Sequence, residues 1–361
     1  MRRKHIVKLD SILKLIKKEF ILLVLMVILL ITSISLKRIP RYTLNDFKTV
    51  FTIMVFLIIV KGLERSGFLR YLSWKVEGGR FIPLKLVTFT FFLSMFVTND
   101  VAILTVVPLT LKLKVKNRER LIILETLASN GGSALTPFGN PQNIFIYYFY
   151  HLDFHEFILA IYPFVLLSLG FILLCLTRCR ECEAKEREKS FHERMDRVSA
   201  IIYSLFFMLF ILSVLRLAPM YLGFIPIAYA LIFDRESLKI DYPLLFLFIL
   251  FFGLTDNLIH ILKLNLHESA HRVFIFSSLL SQVISNVPSA LFFADFTKNW
   301  KDLLWGVSVG GFGSMLSSLA NLLSYRLVKG EIEKPRVYAL NFQIHSFTMF
   351  FIGMIFYFIF N

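Results

Sequence analysis

Long apolar runs, separated by short basic stretches, constrain this 361-residue chain more than any other feature. A helix needs about 20 apolar residues to cross the hydrocarbon core of a bilayer. With no water in that core the backbone must bond to itself, so a span is either a helix or part of a closed barrel. The runs lack the two-residue alternation of a barrel strand, which selects helices. Composition agrees, with 57% of residues hydrophobic, 18% charged and 40 phenylalanines. That leaves too little polar surface to cover a water-soluble globule, in which about a quarter of residues are charged.

The formal net charge of +15 invites a nucleic-acid reading. Its distribution argues against one, because the Lys and Arg residues lie between apolar runs and not in a basic soluble module. Basic residues placed in this way set membrane topology. The expected surroundings are therefore a lipid bilayer, with no nucleic-acid partner.

Apolar segments fall at about 20–36, 46–63, 81–111, 119–150, 156–176, 198–216, 219–234, 243–262, 271–297, 302–328 and 339–360. The charged stretch 177–197 divides the chain. Two segments of about 30 residues are interrupted at their centres, at Thr98-Asn99-Asp100 and at Ser285-Asn286-Val287-Pro288. A polar break at mid-depth reads as a re-entrant hairpin, since irregular backbone is tolerated there only when buried in protein or lining a cavity. Both flanks of 81–111 are basic, and re-entrance keeps both on the cytoplasmic side. With the N-terminus inside, the inner segments carry 31 of the 40 Lys and Arg residues.

The same order of elements occurs twice: helix, helix, hairpin, broken helix, helix. The expected fold is an all-α polytopic membrane protein of two inverted repeats, with about nine full crossings, the N-terminus inside and the C-terminus outside. Residues 1–176 form the first repeat, with hairpin 81–111 and broken helix 119–150. Residues 177–197 form a cytoplasmic linker and 198–216 a linking helix. Residues 217–361 form the second repeat, with hairpin 271–297 and broken helix 302–328. Inverted repeats with discontinuous helices mark secondary transporters.

The four breaks carry the chemistry. Two are the hairpin tips; the others are Thr136-Pro137-Phe138-Gly139-Asn140-Pro141-Gln142-Asn143 and Ser317-Ser318-Leu319-Ala320-Asn321. Unwound backbone frees carbonyls that, with Asn, Ser and Thr oxygens, suit a hard cation such as Na⁺. The helix N-termini just after the breaks present N–H groups to an anion. Asp100 is a carboxylate at membrane depth, which marks a functional position by default. It can ligate Na⁺, carry a proton or cap the helix it opens. Glu125 lies within the first broken helix and could be buried. Asp256 and His260 fall near an outer helix end and are expected to be solvated, and Asp295 closes the second hairpin.

The stretches V-T-N-D-V-A-I-L-T-V-V-P-L-T (97–110), L-A-S-N-G-G-S-A-L-T-P-F-G-N-P-Q-N (127–143) and S-Q-V-I-S-N-V-P-S-A-L (281–291) resemble the ion-transporter superfamily. That group includes citrate and dicarboxylate carriers, arsenite-efflux permeases and sodium/proton antiporters. The resemblance implies a central site between the hairpin tips and the broken helices. Thr98, Asn99, Thr136, Asn143, Ser285, Asn286 and Ser317 would bind substrate there. Asn99, Asp100, Gly139, Asn140, Asn286, Pro288, Ser318 and Asn321 would hold the coupling ion, Na⁺ or H⁺, with no cofactor. It also implies an elevator-type carrier for a small anion or oxyacid, working against a scaffold that can pair as a homodimer. Carboxylate carriers usually show S-N-T at both tips, whereas this chain has T-N-D and S-N-V-P. Asp100 brings its first tip closer to the arsenite and antiporter branches, so a sodium/proton antiporter is the second reading.

One motif points elsewhere. His267-Glu268-Ser269-Ala270-His271 matches H-E-x-x-H, the pattern of a zinc protease. It sits in a loop with no third ligand following, which leaves a membrane protease as a remote alternative. No phosphate-binding loop or soluble enzyme domain is present. Cys175, Cys179 and Cys182 read as reduced thiols near a cytoplasmic helix end.

Overall fold

The computed structural model describes residues 20–76, 81–113, 117–177, 195–262 and 270–360. Every regular element among them is a helix. The first half holds α1 (Phe20–Leu36), α2 (Leu44–Arg65), α3 (Phe68–Val76), α4 (Ile82–Ser94), α5 (Asn99–Lys112), α6 (Arg118–Ser133), α7 (Pro141–Phe149) and α8 (Phe154–Thr177). After the linker come α9 (Arg197–Val214), a 3₁₀ turn at Met220–Gly223, α10 (Phe224–Phe233), a second 3₁₀ turn at Arg235–Leu238 and α11 (Tyr242–Leu262). Then follow α12 (Ala270–Ile284), α13 (Asn286–Ala294), α14 (Trp300–Gly310), α15 (Leu319–Lys329) and α16 (Pro335–Phe360).

Among the described residues four stretches are long and apolar enough to cross a bilayer: Phe154–Thr177, Arg197–Val214, Arg235–Leu258 and Pro335–Phe360. Their outer faces stay apolar, with Leu166, Leu205, Met208, Leu340, Phe351 and Ile355 exposed. Such continuous apolar exposure suits a surface bathed in lipid. The chain is a multi-pass helical membrane protein.

Each long interrupted segment resolves into two helices, α4 and α5 in the first half and α12 and α13 in the second. In both pairs the first arm packs most heavily on the first part of the following broken helix, α4 on α6 and α12 on α14. The second arm crosses to the other half, α5 onto α15 and α13 onto α7. The halves are therefore interlocked through their hairpins. At this crossing α6 is buried on every side from Leu121 to Ser133, although its polar residues would suit a surface helix. α1, α2, α9 and α11 pack beside this interlocked group, with α1 on α11 and α2 on α9.

Two details differ from the sequence expectation. Residues 219–234 form not one long span but a 3₁₀ turn followed by a helix of 10 residues. That helix is about 15 Å long, half the thickness of a bilayer core. Pro219 N-caps the turn and Pro226 sits in the helix's first turn, and both restrict where an α-helix can start. A short helix, α3, also forms between the apolar segments 46–63 and 81–111, where no element was assigned. It buries Leu69 and Ser73 and turns its basic residues outward.

Candidate functional site

The two broken helices unwind in matching ways. α6 ends at Ser133 and the chain restarts at Pro141; α14 ends at Gly310 and the chain restarts at Leu319. The residues that restart them, Asn140 and Ser318, share one extended conformation, φ −148° and ψ 150° against φ −145° and ψ 144°. Three residues beyond each lies an asparagine that ties the unwound loop together. Asn143 Nδ2 donates to the carbonyls of Ser133, ten residues back, and Thr136, seven back. Asn321 Nδ2 donates to the carbonyls of Gly311, ten back, and Ser314, seven back. Without these bonds the freed carbonyls would lie buried and unpaired.

Hydroxyls then fasten each hairpin to its broken helix. Thr136 Oγ1 donates to the Met95 carbonyl at 2.5 Å, and Ser314 Oγ donates to the Gln282 carbonyl at 2.7 Å. Met95 and Gln282 each stand four residues before a tip asparagine, Asn99 and Asn286.

The tips themselves engage different partners. Asn99 Nδ2 donates to Asn130 Oδ1 and to Ser318 Oγ, both at 3.0 Å, so the first tip reaches into the second half. Ser318 Oγ also donates to Asn130 Oδ1 at 3.0 Å, and Asn130 Nδ2 donates to Asn321 Oδ1 at 2.7 Å. Asn286 donates its backbone N–H to the Ser317 carbonyl at 3.0 Å, and Ser317 Oγ donates to Gly311 O at 2.9 Å. Thr98, Asn99, Asn130, Asn286, Ser317, Ser318 and Asn321 are all buried.

The site residues expected from the sequence thus fall into two groups. Asn99, Ser318 and Asn321 meet in one hydrogen-bonded cluster, with Ser317, Ser285 and Asn286 beside it. Thr136, Gly139, Asn140 and Asn143 are bound within their own loop: Asn140 Nδ2 donates to Ser133 Oγ at 2.7 Å and the Gly139 N–H to Thr136 O at 3.2 Å. Their hydrogen bonds do not reach Asn99. Pro288 is buried in the first turn of α13. Asp100 stands half-buried in the first turn of α5 and makes no ion pair among the described residues.

Asn130, the hub of the cluster, was not singled out from the sequence. It sits inside a regular helix, where no Gly or Pro break draws attention to it. Its one signal is a polar residue on a helix buried all round.

No helix at the four breaks is capped by its own N-cap side chain. Thr98, Asn140, Ser285 and Ser318 belong to good or fair capping types, yet none accepts a hydrogen bond from its helix. The Asp100 N–H donates to Asn99 Oδ1 and the Asn286 N–H to Ser317 O, so the positive ends of these helices are met by neighbouring groups and not by an N-cap side chain.

Outside the cluster, Glu125 is fully buried and accepts a hydrogen bond from Thr110 Oγ1 at 2.6 Å. Asp295 is half-buried at the C-cap of α13. Asp256 is not solvated as expected. Its carboxylate lies 2.5 Å from the Arg38 guanidinium and 2.9 Å from the Arg41 N–H, partners more than 200 residues earlier in the chain. His260 is exposed, its Nδ1 2.8 Å from the Asp256 carbonyl. Of the H-E-x-x-H match, His267, Glu268 and Ser269 lie outside the described residues, and His271 Nδ1 lies 3.3 Å from the Tyr357 hydroxyl. Cys175 is half-buried on α8, and Cys179 and Cys182 lie outside the described residues, as does most of the charged linker.

Comparison with known proteins places this architecture. The family described as citrate transporter matches residues 12–310. The uncharacterised transporter MJ0456 of Methanocaldococcus jannaschii is 32% identical over 331 residues, covering 88% of this chain and 91% of its own length. The inner membrane protein YbiR of Escherichia coli is 34% identical over 307 residues, covering 78% of this chain and 80% of its own length. The silicon efflux transporter LSI3 of Oryza sativa subsp. japonica is 31% identical over 126 residues, 32% of this chain and 26% of its own length. With most of its length matched in this way, the chain belongs to the citrate transporter family, and its activity is membrane transport and not catalysis.

Proposed function

We propose that the chain is a secondary active transporter that moves a small anion or oxyacid, driven by Na⁺ or H⁺, through a site between the two hairpin tips. The observation that carries this reading is the buried cluster in which Asn99 of one half bonds to Ser318 of the other, beside uncapped helix N-termini. Neutral amide and hydroxyl groups surround the place, so the positive ends of helices would supply the field for an anion. Asp100 would hold the coupling cation. The family description names citrate, and one relative's name is that of a silicon efflux transporter. Both fit a small solute.

The two halves are read as inverted repeats, with the N-terminus inside, the C-terminus outside and about nine crossings. The matched ten-back and seven-back bonds of Asn143 and Asn321 support this, as do the paired Thr136 and Ser314 hydroxyls. The interlocked hairpins with the broken helices would move as one body against α1, α2, α9 and α11, a scaffold that could pair as a homodimer. Movement of a body around a fixed site gives alternating access.

Purified protein in liposomes tests the reading. Na⁺ and proton gradients are imposed separately while uptake of labelled citrate, succinate, arsenite and sulfate is followed with internal pH. Uptake of one of these driven by one gradient is the expected result. Proton movement driven by Na⁺ with no solute added would replace this reading with a sodium/proton antiporter centred on Asp100.

A further inference from the structure

Glu125 has no part in the cluster at the tips, yet it is the most deeply enclosed carboxylate among the described residues, with no exposed surface. One oxygen accepts from Thr110 and the other, Oε2, has no partner. An ionised carboxylate so enclosed, with one hydrogen bond and no counter-charge, is costly enough that it takes up a proton instead.

Among the described residues no charged group of the packed elements forms an ion pair or hydrogen bond with it. Lys85 lies near the start of α4, Asp100 and Lys112 at the two ends of α5, His155 and Glu156 at the start of α8, and Tyr162 two turns on. Tyr325, Arg326 and Lys329 lie along the second half of α15, and Arg336 at the start of α16. His345 bonds to Asn341 O, and Tyr357 bonds to Asp302 near the far end of α16. On α6 itself Arg118 donates to Leu111 O and Glu331 O, and neither Glu119 nor Arg120 pairs with Glu125. Tyr338 lies in electrostatic reach, and its hydroxyl is joined to Ser324 Oγ at 2.9 Å and through it to Thr126 Oγ1 at 2.7 Å. These are neutral hydroxyls, each able to donate or accept. The Thr110 hydroxyl has the same freedom, donating to a carboxylate or accepting from a carboxylic acid.

We propose that Glu125 is a proton-binding site of the moving body, protonated in the arrangement described here and deprotonated when movement of that body against the scaffold lets water reach it. Among the described residues two hydrogen bonds between side chains join α5 to α6, Asn99 with Asn130 and Thr110 with Glu125. Glu125 and Asn130 are five residues apart, about 7.5 Å along one helix. The helix that carries the hub of the tip cluster therefore also carries the proton site.

Infrared spectroscopy of the full-length protein in lipid, titrated from acid to alkaline pH, tests this with no solute present. Its outcome is thus separate from that of the uptake assay. The wild type is expected to show a protonated-carboxyl band that disappears on titration, and Glu125→Gln is expected to lose that titrating band. Thr110→Val keeps the carboxyl and removes its hydrogen bond, so its band is expected to shift to higher frequency. A band that titrates identically in wild type and Glu125→Gln overturns the proposal. So does a wild-type band that persists unchanged at every pH.

Discussion

The two hairpin tips occupy corresponding places but are in different states. The first is relaxed and closed: Thr98 has an ordinary extended backbone, φ −65° and ψ 152°, and Asn99 is bonded into both halves. The second is strained and loosely held. Ser285 adopts φ +78° and ψ 158°, a conformation that is nearly confined to glycine and costs about 1–3 kcal/mol in other residues. Its hydroxyl contacts to Asn286 Oδ1 and Ser317 O are long, both 3.4 Å. Position 308, which corresponds to Asn130 in the broken helix, carries a serine whose buried Oγ has no partner. One tip thus locks, while the other holds strain and unused polar groups. Such strain persists only where the surroundings enforce it, and it gathers at ligand clamps and switches. We therefore regard the second tip as the mobile gate and the first as its anchor.

Substitutions can break or sharpen that contrast. Asn130→Ala has the largest expected effect, because it leaves Asn99, Ser318 and Asn321 without their shared partner. A stability loss on the order of 3 kcal/mol is expected, measured by chemical unfolding in detergent; a loss below about 1 kcal/mol would show that the first tip is not held by this hub. Next is a matched glycine pair. A Cβ at Gly132 would lie 2.0 Å from the Phe91 backbone oxygen, whereas one at Gly310 first meets the Ser281 side chain at 2.7 Å. Gly132→Ala is expected to cost about 2–3 kcal/mol and Gly310→Ala about 1 kcal/mol, and equal costs would remove this part of the asymmetry.

The tip asparagines give a third comparison. Asn99→Ala is expected to lower stability by about 2 kcal/mol, and Asn286→Ala by less than about 0.5 kcal/mol, since Asn286's firm bond is made by its backbone. A larger loss for Asn286→Ala would reverse the anchor and gate. Ser285→Gly is expected to stabilise the protein by about 1 kcal/mol by relieving the backbone. A destabilised variant would mean that the contacts at 3.4 Å outweigh the strain. Ser308→Ala should change stability least, by under about 0.5 kcal/mol, because no bond is lost.

Much of the helical frame was legible in the sequence. Polar breaks inside 30-residue apolar runs marked the interruptions between α4 and α5 and between α12 and α13, and Gly- and Pro-containing stretches marked those after α6 and α14, because only special backbone chemistry interrupts a helix in lipid. Three things were not legible, each for the same reason. Asn130 lies in an unbroken helix, Arg38 reaches Asp256 from across the fold, and Asn99 bonds across halves to Ser318. These pairings depend on how elements cross, and no local pattern encodes that. The α3 helix and the shortened 219–234 segment were obscured differently, by charges and prolines that blur the boundaries of short elements.

The central claim is that both tips serve one transport site. It is tested most directly by gradient-driven uptake into liposomes containing equal amounts of wild type, Asn99→Ala or Asn286→Ala, using whichever labelled solute the wild type accumulates. The account requires both variants to fall to the rate of protein-free liposomes, although only Asn99→Ala is appreciably less stable. Uptake at the wild-type rate by either variant would contradict it.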